Sequence, residues 1–225
     1  MIYGVAREVM NTMELKNHYT GQTVENAIKQ YQTDRDAKDP LLAPKRCAVH
    51  FAVDDDEIRM CTWLCGKSSW FLPFNKGVNG GAGNPINPNG VRTSYLWEEI
   101  LRKESLSDIL ENYAQVIKKK DEKTNTEKVS VVWPRYHQLE VVRRLLQETR
   151  TKGIGNRYLI QHSAGSGKSN SITWLAYQLV GLLDGTEPLM DSVIVVTDRV
   201  NLDKQIRDNI AAFKRLSNLV AWADS

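Results

Sequence analysis

The 225-residue chain lacks long apolar runs, and its net charge is a modest +3. No apolar stretch approaches the roughly 18 residues that a membrane-spanning helix needs. The N-terminal residues also lack the charged-then-apolar order of a secretory signal. These absences predict a cytoplasmic protein with no membrane partner. The charge permits nucleic-acid binding without requiring it.

Cysteine is scarce as well, with three residues in the chain. Cys61 and Cys65 have three residues between them, and Cys47 and His50 lie upstream, so a zinc site can be imagined. The paired C-x-x-C knuckles that would make zinc a strong prediction are absent. Reduced cysteines in strands, where Cys behaves as a small hydrophobic residue, are the simpler explanation.

The first half of the chain alternates strand and helix patterns. Residues 9–16 alternate with a period of two, which places Glu14 and Lys16 side by side on one face of a strand. The patterns that follow predict a helix and then a β-hairpin, at residues 24–31, 47–53 and 58–64. Residues 73–91 are crowded with Gly, Asn and Pro and predict a long irregular loop, a type that is often functional.

Two further segments lead to the predicted domain boundaries. Residues 95–113 have helical spacing and predict two short helices, broken near Ser105 or Ser107. Residues 118–130 (KKKDEKTNTEKVS) are charged and nearly free of apolar residues, which predicts a linker or exposed loop. The predicted organisation is a first domain at residues 1–115, a linker at 116–132 and a second domain at 133–225.

The second half predicts a βαβα unit with a parallel sheet. Short apolar runs at 158–160 and 193–196 predict central strands that are covered on both sides. Three amphipathic helices are predicted from apolar residues at helical spacing. Their stripes are Leu139, Val142, Leu145 and Leu146; Ile172, Leu175, Ala176, Leu179 and Leu183; and Leu202, Ile206, Ile210 and Phe213.

Between the first strand and helix of this unit, residues 162–169 (HSAGSGKS) have the order of a phosphate-binding loop. Small residues let backbone N–H groups wrap a polyphosphate, and the helix N-terminus adds partial positive charge. We expect Lys168 to reach the outer phosphates and Ser169 to hold Mg²⁺. The strict G-x-x-x-x-G-K-[ST] pattern fails at His162, and a Gly/Ser-rich turn is the alternative. The predicted loop residues are Ala164, Gly165, Ser166, Gly167, Lys168 and Ser169.

Two positions flank this loop in the sequence. Gln138 lies about 30 residues upstream. It resembles the upstream Gln of superfamily 2 helicases, which reads the adenine edge because an amide can donate and accept at once; an ordinary exposed helix residue is the alternative. Thr197 and Arg199 follow the second apolar run, and ligands collect beyond the carboxyl ends of parallel strands. Both are therefore candidates for contact with a nucleic-acid backbone. Helix capping by Thr197 or Asp198 is the alternative.

The pair Glu14 and Lys16 suggests a second chemistry. A carboxylate there can hold a divalent ion that polarises a phosphodiester, and a lysine two residues on can stabilise the developing negative charge. A solvated ion pair on an exposed strand face is the alternative explanation of the same pattern.

Taken together, these segments resemble the restriction (R) subunit of type I restriction-modification enzymes. The similarity runs in family order over nearly the whole chain, and the loop and the segment around Gln138 are its most specific parts. In this family His162 at the start of the loop is normal. The similar segments are ELKN (14–17), AIKQY with DR (27–35), HFAVDDD (50–56), FLPFNKG (71–77), GNP (83–85), YLWEEIL (95–101), PRYHQLEVVR (134–143), YLIQHSAGSGKSNSITWLA (158–176) and VIVVTDRVNLDKQ (193–205).

The resemblance implies an α/β fold, with a partial PD-(D/E)xK nuclease-like domain followed by the first part of a RecA-like P-loop motor domain. It implies an ATP- and Mg²⁺-dependent subunit that translocates and cleaves double-stranded DNA in the cytoplasm of a bacterium or archaeon. The implied partners are a methyltransferase subunit and a specificity subunit. By position, Glu14 would be a metal ligand, Lys16 the catalytic lysine, Tyr31 a further DNA-contact candidate and Gln138 the adenine contact.

The chain departs from the family pattern in three places. The nuclease Asp expected upstream of Glu14 is absent, since the first Asp is Asp34. Ala27 stands where a Gln-x-x-x-Tyr motif ending at Tyr31 would have its Gln, with Gln30 close by. A D-E-x-H acidic motif does not follow the loop. We therefore expect an internal stretch of a longer subunit that binds nucleotide weakly by itself. A catalytically incomplete DNA-binding or assembly fragment, or an unrelated P-loop NTPase such as a kinase or GTPase, are the alternatives.

Overall fold

The computed structural model describes residues 10–36, 38–44, 46–120, 125, 127–198, 206–207 and 209–210. The fold is mixed α/β with small sheets. The chain forms two compact units that divide between His137 and Gln138. Within the described part of the chain, no helix is long and apolar enough to cross a bilayer.

A four-stranded sheet forms the centre of the first unit, in the order β1-β2-β3-β4. Strands β1 and β2 are parallel, with Asn11 opposite Val49 and Leu15 opposite Val53, and the other pairs are antiparallel. All five residues of β2 are buried, which explains its continuous apolar sequence. The strands are β1 (Asn11–Leu15), β2 (Val49–Val53), β3 (Ile58–Cys61) and β4 (Leu72–Pro73).

A short helix makes the crossover that the parallel pair requires. Helix α1 (Val24–Lys29) runs into a π-helical turn at Gln30–Asp34. The Asn26 side chain accepts a hydrogen bond from the Thr23 backbone N–H at 2.9 Å and so caps the start of the helix. Val24 and Ala27 pack on Ala52 of β2. The predicted strand, helix and hairpin are all confirmed.

Aromatic rings build the core on the other face of the sheet. Phe51 of β2 meets Phe74 at 5.4 Å and Trp133 at 6.4 Å between ring centroids. Tyr136 meets Phe74 at 5.9 Å and Tyr95 at 5.3 Å. All four contacts are edge-on, a favoured geometry for aromatic pairs. The Tyr95 hydroxyl donates to the Phe74 carbonyl at 2.6 Å, so this buried polar group is satisfied.

The predicted irregular loop follows β4, and one amide organises its middle. Asn84 is buried, and its nitrogen donates to the Asp56 carbonyl at 2.8 Å and to Asn75 Oδ1 at 3.0 Å. Its oxygen accepts from the Lys76 backbone N–H at 2.8 Å. Asn84 therefore ties the middle of the loop to the β2–β3 turn, and Asn75 adds a second tie by accepting from the Ile58 N–H at 2.9 Å.

Two predictions for the end of the first unit need correction. The helical segment breaks at Leu101–Arg102, between a π-helical turn (Leu96–Ile100) and α2 (Lys103–Asn112), because Arg102 is extended. Ser105 and Ser107 lie inside α2.

The charged stretch predicted as a linker at 116–132 instead carries an antiparallel hairpin of β5 (Gln115–Lys120) and β6 (Glu127–Val132). Its valines explain the pairing, because Val116 lies directly opposite the buried Val131.

The described residues of the second unit include two longer helices, helical residues at 206–207 and 209–210, and a small hairpin. Helix α3 (Tyr136–Lys152) buries Leu139, Val142 and Leu146, as its stripe predicts. Helix α4 (Lys168–Val180) ends before Leu183, which lies in the short strand β7. Ile206 and Ile210 are buried against Ile172 and Tyr177, while Leu202 and Phe213 lie outside the described residues. The hairpin is formed by β7 (Leu183–Asp184) and β8 (Glu187–Pro188).

Within the described part of this unit, the predicted parallel strands are not formed. Residues 158–160 and 193–196 have no regular secondary structure and pair with no described strand, and Leu159 and Val196 are 92% and 86% exposed. A central parallel strand needs a neighbour on each side and a helix on each face. The described residues supply neither at these positions, so the prediction of buried strands is wrong here. The stripe of α4 is correspondingly only half-buried.

Candidate functional site

The loop at residues 162–167 leads directly into α4. Gly165 and Gly167 have φ values of 72° and 81°, which L-residues rarely adopt. These turns place Gly167 immediately before the first residue of α4, and the Asn170 N–H bonds the Gly167 carbonyl at 3.0 Å. The loop therefore lies at the N-terminus of a 13-residue helix, where unpaired N–H groups favour an anion.

Lys168 folds back over this loop. Its ammonium donates to the His162 carbonyl at 3.0 Å and to the Ser163 carbonyl at 2.9 Å, and the side chain is exposed. Phosphate oxygens are stronger acceptors than carbonyls for an ammonium. The lysine is thus placed to transfer these bonds to a bound phosphate. Ser169 follows it and is buried, and Ala164 is exposed.

Gln138, on α3, contacts the same loop through its side-chain amide. Its amide nitrogen donates to the Ser166 carbonyl at 3.1 Å and to the Gly167 carbonyl at 2.9 Å, and its side chain is buried. The structure therefore brings Gln138 and the loop together, as their spacing in the sequence suggested. The bonding to loop carbonyls was not expected, because the pattern suggested either an adenine contact or an ordinary exposed helix residue. Contact with adenine would require the amide to share or leave these bonds.

The remaining candidates of the second unit stay predictions. Thr197 is half-buried and Asp198 is exposed, both after the segment 193–196. Arg199 lies outside the described residues.

In the first unit, Glu14 and Lys16 each have one partner from the crossover. Arg35 Nε donates to Glu14 Oε1 at 2.7 Å, and Lys16 Nζ donates to Gln30 Oε1 at 2.6 Å. The ion pair raises the pKa of Arg35, because Glu14 bonds its guanidinium and stabilises the charge. Gln30 thus supplies an amide beside the lysine, at a position that the sequence pattern left unassigned.

Thr12, two residues before Glu14 on β1, forms hydrogen bonds with the buried side chains of Tyr31 and His50. Thr12 Oγ1 is 2.8 Å from the Tyr31 hydroxyl and 2.7 Å from His50 Nδ1. Burial lowers the pKa of His50 to about 4 and raises that of Tyr31, so both are neutral near pH 7. Because Tyr31 is buried and bonded, it is placed to hold the crossover on the sheet. Direct DNA contact by Tyr31, as expected from the resemblance, does not fit this burial.

Potential metal ligands are sparse. Over the described ranges, no group of three or more His, Cys, Asp or Glu side chains could hold a metal ion together. The imagined zinc site gains no support: Cys47 and Cys61 are buried and bond the carbonyls of Leu41 and Trp63. Burial raises the pKa of both thiols, which fits reduced core cysteines. Glu14 and Ser169 keep the oxygen donors that a hard cation such as Mg²⁺ prefers.

Residues 137–222 match the family model described as SWI2/SNF2 ATPase. Neither the curated proteins nor the solved structures include a match to the chain. The matched stretch contains Gln138, the loop and α4. It points to a superfamily 2 motor region, which at this coarse level supports a helicase-like or DNA-translocating ATPase. The match does not extend to Glu14 and Lys16.

Proposed function

We propose that this chain is part of the motor and endonuclease subunit of a type I restriction enzyme, which translocates double-stranded DNA at the expense of ATP and cleaves it. The family match supports the motor half of this proposal. The nuclease half rests on one observation in the first unit: Glu14 lies in β1, Lys16 follows the strand directly, and Lys16 is bonded to Gln30 from the following helical turn. The resemblance to the restriction subunits joins the two halves.

The second unit fits ATP with Mg²⁺. The loop and the start of α4 direct backbone N–H groups and partial positive charge toward a polyphosphate. Lys168 would bind the outer phosphates after leaving the carbonyls of His162 and Ser163. The Ser169 hydroxyl would hold Mg²⁺, which neutralises phosphate charge when bound. Gln138 keeps the loop in shape through its two bonds.

In the first unit, the proposed roles follow from the partners of each side chain. Glu14 would hold a divalent ion, whose chemistry is to polarise the scissile phosphodiester. Arg35 would leave Glu14 to allow this, and it is half-exposed and able to move. Lys16, oriented by Gln30, would stabilise the negative charge that develops on the phosphate.

The proposed partners are double-stranded DNA and the methyltransferase and specificity subunits. In this family the specificity subunit reads the DNA sequence. A second candidate function, a non-catalytic DNA-binding or assembly module, is favoured because the described residues contain no group of three or more His, Cys, Asp or Glu side chains that could hold a metal ion.

Binding of Mg²⁺-ATP to a Lys168→Ala variant tests the motor half. The expected result is at least a tenfold loss of affinity, with a folding stability close to that of the wild type, because the ammonium is exposed. The matched control is Lys152→Ala, which removes another exposed lysine of the same unit, one that pairs with Glu148. Equal binding by both variants would contradict a phosphate role for Lys168.

Mg²⁺-dependent nicking of plasmid DNA tests the nuclease half. We expect Lys16→Ala to abolish nicking and Lys29→Ala, an exposed lysine of α1, to retain it. Nicking by the Lys16→Ala variant at the wild-type rate, or no nicking by the wild type, would leave the non-catalytic candidate in its place.

A further inference from the structure

A cleft of about 200 Å³ lies at the carboxyl ends of β1 and β2, the edge where parallel sheets collect ligands. The end of the long loop lines part of this cleft. The proposed nuclease and motor chemistry gives this loop no role. This volume is smaller than the roughly 300–1,000 Å³ of pockets for drug-sized ligands. The cleft therefore suits a single ring system rather than a whole nucleotide. Its lining residues are Leu15, Lys16, Asn17, Val53, Asp54, Asp55, Val91, Thr93 and Trp97.

The walls of the cleft are apolar and one of them is aromatic. Leu15 and Val53 are register partners in the sheet, and Trp97 stands on the π-helical turn that follows the loop. Leu15 is 60% exposed and Trp97 is 44% exposed. An exposed indole beside aliphatic side chains is a platform on which a flat heteroaromatic ring can stack.

The polar groups of the cleft favour a base over a phosphate. The Asp54 carboxylate accepts backbone N–H bonds from Val24 at 2.7 Å, Asp56 at 2.8 Å and Glu57 at 2.7 Å, so it is held in place. Asp55 Oδ2 accepts from the His18 N–H at 3.1 Å and lies 3.0 Å from the His18 ring Nδ1, so a base would bond the other oxygen of this carboxylate. Carboxylates repel a phosphate but accept a hydrogen bond from the exocyclic amino group of a base.

The cleft shares Lys16 with the proposed nuclease site. Side chains alternate along a strand, so Leu15 lies on the face of β1 opposite to Glu14. Lys16 comes directly after the strand, extends its pairing through a bond to the Val53 carbonyl at 2.8 Å, and lines the cleft. A DNA strand that passes the end of β1 can present its phosphate to Lys16 and the adjoining base to the cleft.

We propose that this cleft binds one unpaired DNA base, stacked on Trp97, next to the phosphate held at Lys16. The inference rests on the proposed nuclease function for the position of the DNA strand. It adds a base-binding site and a preference: bases with an amino group bind better than thymine, because thymine offers no amino donor to Asp55. Taking a base out of the stack is a known way for enzymes to position a nucleotide.

The test uses the full 225-residue chain in metal-free buffer with a single-stranded oligonucleotide that carries 2-aminopurine. Stacking on an indole quenches the fluorescence of this base. We expect wild-type protein to quench it, and Trp97→Ala to bind roughly fivefold to 100-fold more weakly with little quenching. Trp97→Phe, which keeps a ring, should restore part of both. The matched control is Trp70→Ala, because Trp70 is exposed in the same unit and lies outside the cleft.

Equal quenching by the Trp97→Ala and Trp70→Ala variants would overturn the inference, as would tighter binding of a thymine-only strand than of a cytosine-only strand. Thermal unfolding of each variant excludes a simple loss of folding, and the Trp97→Phe variant keeps the test decisive if Trp97→Ala is unstable. Plasmid nicking by the same proteins separates the two proposals. Trp97-dependent quenching without any nicking by the wild type would reject the nuclease but keep the base site.

Discussion

Gln138 lies so close to Gly167 that a Cβ atom at residue 167 would overlap its side-chain amide. The same amide nitrogen donates to the carbonyls of Ser166 and Gly167. Two positions 29 residues apart therefore depend on each other: the glutamine supports the loop, and the glycine makes room for the glutamine.

The first prediction concerns the two glycines of the loop. Gly167→Ala should destabilise the second unit by about 2–4 kcal/mol, because alanine is strained at positive φ and also displaces the Gln138 amide from its bonds. Gly165→Ala has a similar φ but open space, so we expect about 1–2 kcal/mol. Denaturant unfolding and ATP-analogue binding measure both. A Gly165→Ala effect as large as that of Gly167→Ala would contradict the role given to Gln138.

The second prediction separates two roles of Gln138. If the amide mainly holds the loop, Gln138→Ala should weaken ATP and GTP binding by a similar factor of about 5–20, since two hydrogen bonds to the loop are lost. If the amide reads adenine, ATP should lose affinity and GTP should not. Titration with both nucleotides measures the ratio. Gln147→Ala, an exposed change on the same helix, is the control and should affect neither.

The third prediction follows from the buried His50. Its folded pKa of about 4 lies below the ordinary 6.5, so its contribution to stability is complete above pH 6.5 and is lost as the pH falls toward 4. One pKa unit corresponds to about 1.4 kcal/mol, so the loss between pH 7 and 4.5 is roughly 2–3 kcal/mol. His50→Gln should lower stability at pH 7 but remove this part of the acid sensitivity. Denaturant unfolding at the two pH values measures the difference.

The pKa of His18 is shifted in the opposite direction to that of His50, so His18 provides an internal comparison. Its pKa is raised, mainly because Asp55 bonds the charged ring, so its contribution is complete at low pH and is lost as the pH rises through the raised pKa. The ring is exposed, and we expect a much smaller effect from His18→Gln. An acid sensitivity that His50→Gln leaves unchanged would contradict the assignment to His50.

The fourth prediction concerns the partner of Glu14. Arg35 holds this carboxylate at 2.7 Å, so it competes with any divalent ion there. Arg35→Ala should tighten Mn²⁺ binding severalfold, measured by calorimetry, while Glu14→Gln should abolish it. Arg46→Ala, an exposed change outside the pair, is the control. Weaker Mn²⁺ binding by Arg35→Ala would show that the arginine helps the site instead of blocking it.

Local patterns predicted the first sheet well. The alternation of residues 9–16, the apolar run 47–53 and the alternation of residues 58–64 correspond to β1, β2 and β3, because these strands find their pairing partners within the first unit. The stripe of α3 succeeded for the same reason.

Where partners decide the structure, pattern reasoning failed. Residues 158–160 are as apolar as a central strand, but no described strand lies beside them. An apolar run does not by itself show whether another strand will pair with it. The β5–β6 hairpin was missed because its charges outnumber its valines. Gln30 contacts Lys16, and Gln138 contacts the loop. A single amide side chain has no repeating sequence pattern, so these contacts could not be predicted from the sequence.

The way in which Asn84 fixes its loop has a practical consequence. Because the anchoring bonds belong to Asn75 and Asn84 and residues 78–82 are exposed, the loop tip at residues 78–82 can be altered without disturbing the sheet. Ala82→Cys therefore offers an attachment point for a fluorescent dye, with Cys65→Ser removing the exposed native thiol. Since Val91 and Thr93 end the same loop and line the cleft, such a dye becomes a reporter of events there.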